Sequence, residues 1–481
     1  MLPISREDIS VRLRADNPWW DNARPDAALA ELPKRAYYSP LRSLIAGRVR
    51  RAVVLLGSRR VGKTTLLLQL IADFAATSEL GPVLFASVDT PTYTGMSLSQ
   101  FLDLFATECP HDTAGPRLVI FDEIQYFKNW EKHLKDLVDH LPLTRFVVSG
   151  SATAALKRRS EESGAGRFTD FVLPPLTFAE FLTFTQRDDA LIAHVIDSQT
   201  GRPDVVARDI DKLNDAFVEY VNFGGYPEAV FNPAIRSDFQ RFVGRDIVQK
   251  VLMHDLPSLY GIADIQELNR LFTTLAYNTG QEISLEGLSK NSGITKPTIS
   301  RYLDYLEAAF LIVRMNRVDE RAQGFKRQRH FKVYLTNPSM RAALFGPVTT
   351  DHPSMGAMAE TATLAQWLHS SNLSALHYAR WDGGEVDVVH IEPALNRPTW
   401  AYDVKWTDRP AEDYRELAGI AEFAGKSGIT TLGCSTLTKS STSVVAGRSI
   451  KLFPLSHHCY RIGWLNVTEA NLSKRLEQAF S

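Results

Sequence analysis

Between residues 45 and 176 the apolar positions fall into continuous runs, "AVVLLG", "VLFASV", "RLVIFD", "RFVVSG" and "DFVLPPL", separated by stretches of helical periodicity. Strands that are apolar on both faces belong in a parallel sheet with helices on either side, so this segment predicts a parallel-sheet α/β core. From 177 to 275 the period becomes helical, as in "TFAEFLTFT" and "DKLNDAFVEYVNF", and predicts a helical lid. Gly224-Gly225-Tyr226-Pro227 breaks it as a turn. Over 276–345 short helices give way to a ribbon rich in Lys and Arg, the pattern of a winged helix-turn-helix. "DHPSMG" at 351–356 reads as a linker. Residues 356–481 return to an αβ pattern led by the amphipathic helix "MGAMAETATLAQWLHSS". Residues 1–44 form an extension whose "DNPWWDNARP" contains no motif, and its tryptophans are expected to pack.

At 481 residues the chain exceeds a single core, and three or four domains are expected. Apolar content of 44% and charged content of 23% are ordinary for a globular protein. The 54 Lys and Arg nearly cancel the 55 Asp and Glu, so no global field draws the chain to nucleic acid or membrane. Any nucleic-acid contact must come from a local basic patch. Cys109, Cys434 and Cys459 are far apart and lack metal-ligand spacing, which argues for a reducing compartment. The start "MLPISREDISVRLR" is charged, and no run approaches the ~18 apolar residues of a membrane span. The expectation is a cytoplasmic protein without a membrane partner.

Local chemistry sharpens the picture. "VVLLGSRRVGKTTLLLQLI" sets Gly57-x-x-x-x-Gly62-Lys63-Thr64 directly after a strand and before a helix. Glycines there allow a turn whose N–H groups face phosphate oxygens, and the helix N-terminus adds partial positive charge. Gly57, Ser58, Arg59, Arg60, Val61, Gly62, Lys63, Thr64 and Thr65 are therefore the expected ATP cradle. Lys63 would reach the β- and γ-phosphates and Thr64 would ligate Mg²⁺. A second strand, "RLVIFDEIQYF", delivers Asp122 to the same Mg²⁺ and Glu123 to the attacking water. A third strand ends at Ser149, whose hydroxyl would sense the γ-phosphate or position water, with a plain turn as the equal reading. Arg167 in "GAGRF" is placed to stabilise transition-state charge, within one subunit or across to a neighbour, against the bland reading of an ordinary ion pair.

"ISLEGLSKNSGITKPTISRYLDYLEAAFLIVRM" reads as helix, glycine turn, helix and strand, with Ile299, Leu303, Leu306 and Phe310 on one face. Lys296, Thr298, Ser300 and Arg301 then project elsewhere, as a recognition helix requires. "RAQGFKRQRHFKVYL" follows as a candidate wing carrying Arg321, Lys326, Arg327, Arg329 and Lys332. Such a ribbon would neutralise several DNA phosphates. A packing module with a solvated charged face is the alternative. The candidate DNA contacts are Lys296, Arg301, Lys326, Arg327 and Arg329.

Near the end, "GGEVDVVHIEPALNRPTWAYDVKW" puts Asp387 in one apolar run and Asp403-Val404-Lys405 at the close of the next. Two carboxylates and an ammonium on one face cost desolvation unless they pair or hold a metal. With Glu360 on the preceding helix, the order resembles the PD-(D/E)xK restriction-endonuclease-like site. That resemblance implies that Glu360, Asp387 and Asp403 hold Mg²⁺ or Mn²⁺ and that Lys405 orients or deprotonates water for phosphodiester attack. A structural ion pair is the bland reading of the same residues.

"GSRRVGKTTLL", "IFDEIQ", "SGSATAAL...GAGR", "LPPLTFAEFL" and "FGGYPEAV", followed by this nuclease-like end, together resemble one family. It comprises the bacterial and archaeal AAA-type ATPases that carry a C-terminal domain of restriction-endonuclease-like fold. The resemblance spans about 35 to 440 and implies an α/β multidomain chain: AAA-type P-loop core at 45–176, helical lid at 177–275, winged helix at 276–345 and nuclease-like domain at 356–481. Many members lack a full set of nuclease acids, whereas Glu360, Asp387, Asp403 and Lys405 are all present here. The implied activity is Mg²⁺-dependent ATP hydrolysis driving a DNA-handling switch or motor, and in its fullest form an ATP-regulated DNA nuclease of defence or repair. A nucleotide-gated DNA-binding or signalling protein, or a remodeller of a protein partner, fits the same residues if the last domain does not cut. Homo-oligomer and partner protein both stay open.

Overall fold

Five parallel strands form one sheet in the order β2-β3-β4-β1-β5: β1 (Ala52–Leu56), β2 (Val83–Ser87), β3 (Arg117–Asp122), β4 (Thr144–Gly150) and β5 (Phe168–Val172). The computed structural model describes residues 5–21, 32–47, 49–150, 166–198, 201–324, 329–370 and 373–468. They fall into two compact units, a first built on the chain up to Pro174 and a second spanning Pro175–Asn466. Every position of β1 is buried, as its unbroken apolar run requires. The register sets Leu56 beside Gly150, Ser87 beside Asp122 and Phe121 beside Val148, so β1, β3 and β4 end on one edge.

The extension belongs to this unit. Helix α1 (Arg6–Asp16) starts on a Ser5 capping box. Behind it the Asn17 amide donates to Phe85 O at 2.8 Å and accepts from Phe85 N at 2.7 Å. Trp19 and Trp20 are buried, and each donates its indole N–H to Val83 O, at 2.9 and 2.8 Å. Since β2 is the outer strand of the sheet, these contacts occupy backbone groups that an open edge would expose. Helix α2 (Lys63–Thr77) follows the loop after β1 and turns Leu66, Leu67, Leu70, Ile71 and Phe74 inward.

The second unit departs from the sequence reading in three places. First, the segment expected to be helical throughout 177–275 contains an antiparallel hairpin, β6 (Ile192–Ile196) with β7 (Pro203–Ala207). Val195, Ile196 and Val206 are exposed there, so the strands lack the apolar–polar alternation that would mark them. Second, the expected winged-helix and nuclease-like segments share a single sheet. Its order is β15-β16-β14-β13-β12-β11-β9-β10-β8. It runs from β8 (Glu282–Ser284), β9 (Ile312–Val318) and β10 (His330–Leu335) through β11 (Leu376–Trp381), β12 (Gly384–Glu392) and β13 (Arg397–Asp403). Beyond them lie β14 (Thr431–Thr436), β16 (Arg448–Pro454) and the outer β15 (Ser441–Val445). Parallel pairing of β9 with β11, Asn316 beside His377, makes the splice. The linker expected at 351–356 is therefore a turn running into the helix that starts at Met355, outside an unbroken sheet.

Ahead of β9, helices α3 (Leu285–Ser292) and α4 (Lys296–Ala308) are joined through Gly293, whose φ of 76° suits glycine at a helix end. Ile299, Tyr302, Leu303 and Leu306 are the buried face of α4; Phe310, expected to extend it, lies past the helix at φ 51°. Third, α5 (Met355–Trp367), expected to be amphipathic, is buried on most sides because its Ala and Thr residues allow close packing.

Candidate functional site

The loop between β1 and α2 is built on two glycines. A Cβ on Gly57 would lie 2.4 Å from Leu173 O, so no side chain fits there. Gly62 takes φ 95°, a left-handed conformation that glycine adopts without strain. Lys63, 6% exposed, folds its Nζ back onto Gly57 O and Ser58 O, both at 3.0 Å. Burial lowers the Lys63 pKa, while Glu123 and Asp122 pull it back up. Both acceptors are neutral, so this buried charge suits the phosphates of a nucleotide.

Across the edge, Thr64 Oγ1 donates to Asp122 Oδ2 at 2.7 Å, and the Ser149 hydroxyl donates to Asp122 Oδ1. Ser149 thus serves the carboxylate. Glu123 sits at φ 56°, a left-handed conformation unusual for a side chain of its size, which turns it away from the strand line. Its N–H donates to Asp122 Oδ1 at 3.2 Å, and its carboxylate accepts from the Gln125 amide. Burial pushes the Glu123 pKa up, with Lys63 opposing it. Arg59 donates to Tyr126 OH at 2.8 Å, while Arg60 takes φ 61°. Thr65 is half-buried in the first turn of α2. Thr64 and Asp122 supply hard oxygen ligands, the chemistry Mg²⁺ takes alongside nucleotide phosphates.

Arg35 escapes the sequence reading because it lies in the motif-free extension. Its buried guanidinium donates to Val61 O at 3.2 Å and Pro174 O at 2.7 Å, tying the loop to the chain beyond β5. Arg167 is elsewhere. It precedes β5, its carbonyl accepts from Ala52 N at 2.9 Å, and its side chain pairs with Asp139 at 2.7 Å. That is the N-terminal edge of the sheet, one strand length of ~16 Å from the phosphate loop. The reading of Arg167 as a within-chain partner of the phosphates is corrected accordingly.

In the second unit a buried charge cluster gathers on β10, β12, β13 and α5. Lys332 Nζ lies 2.7 Å from Glu385 Oε1, 3.2 Å from Asp387 Oδ1 and 3.3 Å from Glu360 Oε2. Lys405 Nζ is 3.6 Å from Asp387 Oδ2, which also accepts from Val404 N at 3.0 Å. Asp403 Oδ1 accepts from Asp387 N at 3.2 Å, and Tyr334 OH donates to Glu360 at 3.1 Å. Burial and the nearby Asp387 charge push Glu360 and Asp403 up to about 7. Burial works the same way on Asp387, but Lys332 and Lys405 prevail and hold it below the usual carboxylate range.

One correction follows. Lys332, expected on an exposed wing, is 4% exposed at the centre of the cluster. Of the expected metal set, Glu360 and Asp387 face that ammonium, while Asp403 accepts from the Asp387 N–H. Among the described residues no group of three or more His, Cys, Asp or Glu is arranged to hold a metal ion. Glu385, two residues before Asp387 and hence on the same strand face, is a further member that sequence reasoning missed; two acids at that spacing are the signal for it. Of the candidate DNA contacts, Lys296, Arg301 and Arg329 are exposed, with Lys296 Nζ 3.6 Å from Glu286; Lys326 and Arg327 lie outside the described residues. Among the described residues no helix is long and apolar enough to cross a membrane.

Comparison with known proteins places this geometry. Residues 49–182 match the model of an AAA domain, and residues 214–351 match a domain of unknown function, DUF8612. An uncharacterised protein of Haemophilus influenzae is 26% identical over 61% of this chain and 69% of its own. Two uncharacterised proteins of Methanocaldococcus jannaschii are 26% and 24% identical, each over 55% of this chain and 56% of theirs. The chain thus spans little more than half of either archaeal relative. Among solved structures, the Aeropyrum pernix ORC1 protein in complex with DNA aligns at 13% identity and TM-score 0.30, covering 66% of this chain and 94% of that one. Cdc6p from Pyrobaculum aerophilum aligns at 12% identity and TM-score 0.28, covering 66% and 97%. The five-stranded sheet and its loop form an AAA-type P-loop ATPase core.

Proposed function

We propose that this chain, whose first unit is an AAA-type P-loop ATPase core, is an Mg²⁺-dependent ATPase that acts as a nucleotide-gated DNA-binding switch. One observation carries the reading: Lys63 folded on the loop carbonyls beside the Thr64–Asp122 pair. Lys63 would meet the nucleotide phosphates; Thr64 and Asp122 would hold Mg²⁺, which supplies charge neutralisation when bound. Glu123, aimed off its strand and held by Gln125, is positioned to orient the attacking water. Ser149 keeps the Asp122 carboxylate turned toward Thr64. Exposed Lys296, Arg301 and Arg329 would supply the DNA-facing charge on a helix-turn-helix and its ribbon.

In this reading the nuclease-like segment binds and does not cut. Lys332 among Glu360, Asp387 and Glu385 favours that version over an ATP-regulated nuclease, since the expected metal ligands already have a cation. The test uses purified full-length protein with ATP, Mg²⁺ or Mn²⁺ and several DNAs. ATP turnover, DNA affinity that differs between nucleotide states and intact DNA would support the proposal. Absent ATP turnover, nucleotide-independent affinity or metal-dependent cleavage would each overturn the corresponding part.

A further inference from the structure

We infer that the Lys332 ammonium is the resident cation of the Glu360–Glu385–Asp387 pocket and closes that pocket to divalent metal. The resemblance to a metal-dependent nuclease site calls for carboxylates from one helix and two strands around an ion. Here β10, a strand of the preceding helix-turn-helix segment, inserts a lysine among them.

The contacts are those of a bound cation. Three carboxylates from α5 and β12 lie between 2.7 and 3.3 Å from one nitrogen, and the side chain is 4% exposed. The ammonium donates to Glu360 and Asp387 and pairs with Glu385. Tyr334 OH on Glu360 and the Val404 N–H on Asp387 take up further carboxylate oxygens. Lys332 Nζ also lies over the Tyr378 ring, 5.5 Å from its centroid. Lys405 lies on the far side of Asp387 at 3.6 Å and leaves the central place to Lys332. A divalent ion entering the pocket would have to displace a buried ammonium from its carboxylates, and like charges oppose the two standing together. The cluster therefore serves as a charged joint between β10 and the α5–β12 layer.

This inference deepens the non-cutting reading of the second unit and rests on it; its test measures neither DNA cleavage nor ATP hydrolysis, so each can fail alone. Nucleotide-free full-length protein is titrated with Mn²⁺ and bound ions are counted by electron paramagnetic resonance. Any Mn²⁺ at Thr64 and Asp122 is common to all variants. Wild type and Asp387→Asn are expected to bind equal numbers of ions. Lys332→Met, similar in length and neutral, should gain one ion, and Lys332→Met with Asp387→Asn should lose it again. Lys332→Arg should behave as wild type. An extra ion in wild type that Asp387→Asn removes would overturn the inference, as would a folded Lys332→Met without a gain. If Lys332→Met does not fold, the comparison of wild type with Asp387→Asn decides alone.

Discussion

Thr64 Oγ1 donates to Asp122 Oδ2 at 2.7 Å, joining the first turn of α2 to the end of β3, while the Ser149 hydroxyl at the end of β4 holds the other Asp122 oxygen. The first turn of α2 and two neighbouring strand ends thus fix a single carboxylate. Ser149→Ala should leave the sheet intact and free Asp122 to rotate. The apparent Mg²⁺ affinity in ATP turnover should then weaken about 10- to 100-fold, the usual result of removing a group that orients a metal ligand. A Mg²⁺ titration identical to wild type would mean that Ser149 positions nothing.

Lys63 and Glu123 should separate binding from chemistry. Lys63→Ala removes the buried charge aimed at the phosphates and should abolish nucleotide affinity without unfolding the unit. Glu123→Gln should keep ATP binding and slow hydrolysis about 10²- to 10⁴-fold, the span of a missing general base. Nucleotide binding by fluorescence and turnover by phosphate release check both. Unchanged hydrolysis in the two variants would remove the assignment.

How legible these features are in the sequence depends on how local they are. The phosphate loop is eight contiguous residues, and the buried strands of its sheet are unbroken apolar runs, so both read directly. Lys332 does not. It bonds to Glu360 and Asp387, 28 and 55 positions away, and β10 is buried at both faces after His330, which hides the alternation that would turn Lys332 inward. A basic stretch thus reads as a wing, although only part of it faces water. The hairpin of β6 and β7 is hidden for the converse reason, since its exposed positions are apolar.

The remaining exposed cations give the DNA test. Alanine at Lys296, Arg301 and Arg329 should weaken binding about equally across sequences, because phosphate contacts carry no sequence information. The salt slope should fall by roughly 0.9 for each phosphate that is no longer neutralised on duplex DNA. Affinity and slope matching wild type would mean that this face does not touch DNA.

Arg167 pairs with Asp139 at the sheet edge away from the loop, both side chains being partly exposed. Arg167→Ala should therefore cost only about 0–1 kcal/mol in stability, as surface pairs do. ATP affinity of dilute protein should be unchanged. Turnover that falls only at high protein concentration would instead point to a role for Arg167 at a neighbouring copy.

The charge cluster makes the second unit respond to pH in an unusual sense. Glu360 and Asp403 are raised to about 7 in the folded chain, while unfolded carboxyls titrate at about 4. Between those values the folded state binds more protons than the unfolded one, so stability falls as pH rises through that window. Asp387 has the opposite sign: held below its ordinary value, it adds stability that is lost only as pH drops through its folded pKa. From pH 5 to pH 8 Asp387 stays ionised, while His377, His390 and His458, held below the usual histidine range by burial, work against the two raised acids, whose share is therefore read against variants that lack them. Unfolding followed by hydrogen exchange in β12 and β13 should thus show a protection free energy that falls with pH relative to variants lacking either raised acid. Asp403→Asn imitates the protonated acid and keeps an oxygen to accept from Asp387 N, so the fall should become shallower. Glu360→Gln should act alike, with Tyr334 still able to donate to the amide oxygen. Protection that rises from pH 5 to pH 8, equally in wild type and both variants, would show that neither carboxyl holds its proton in the folded protein.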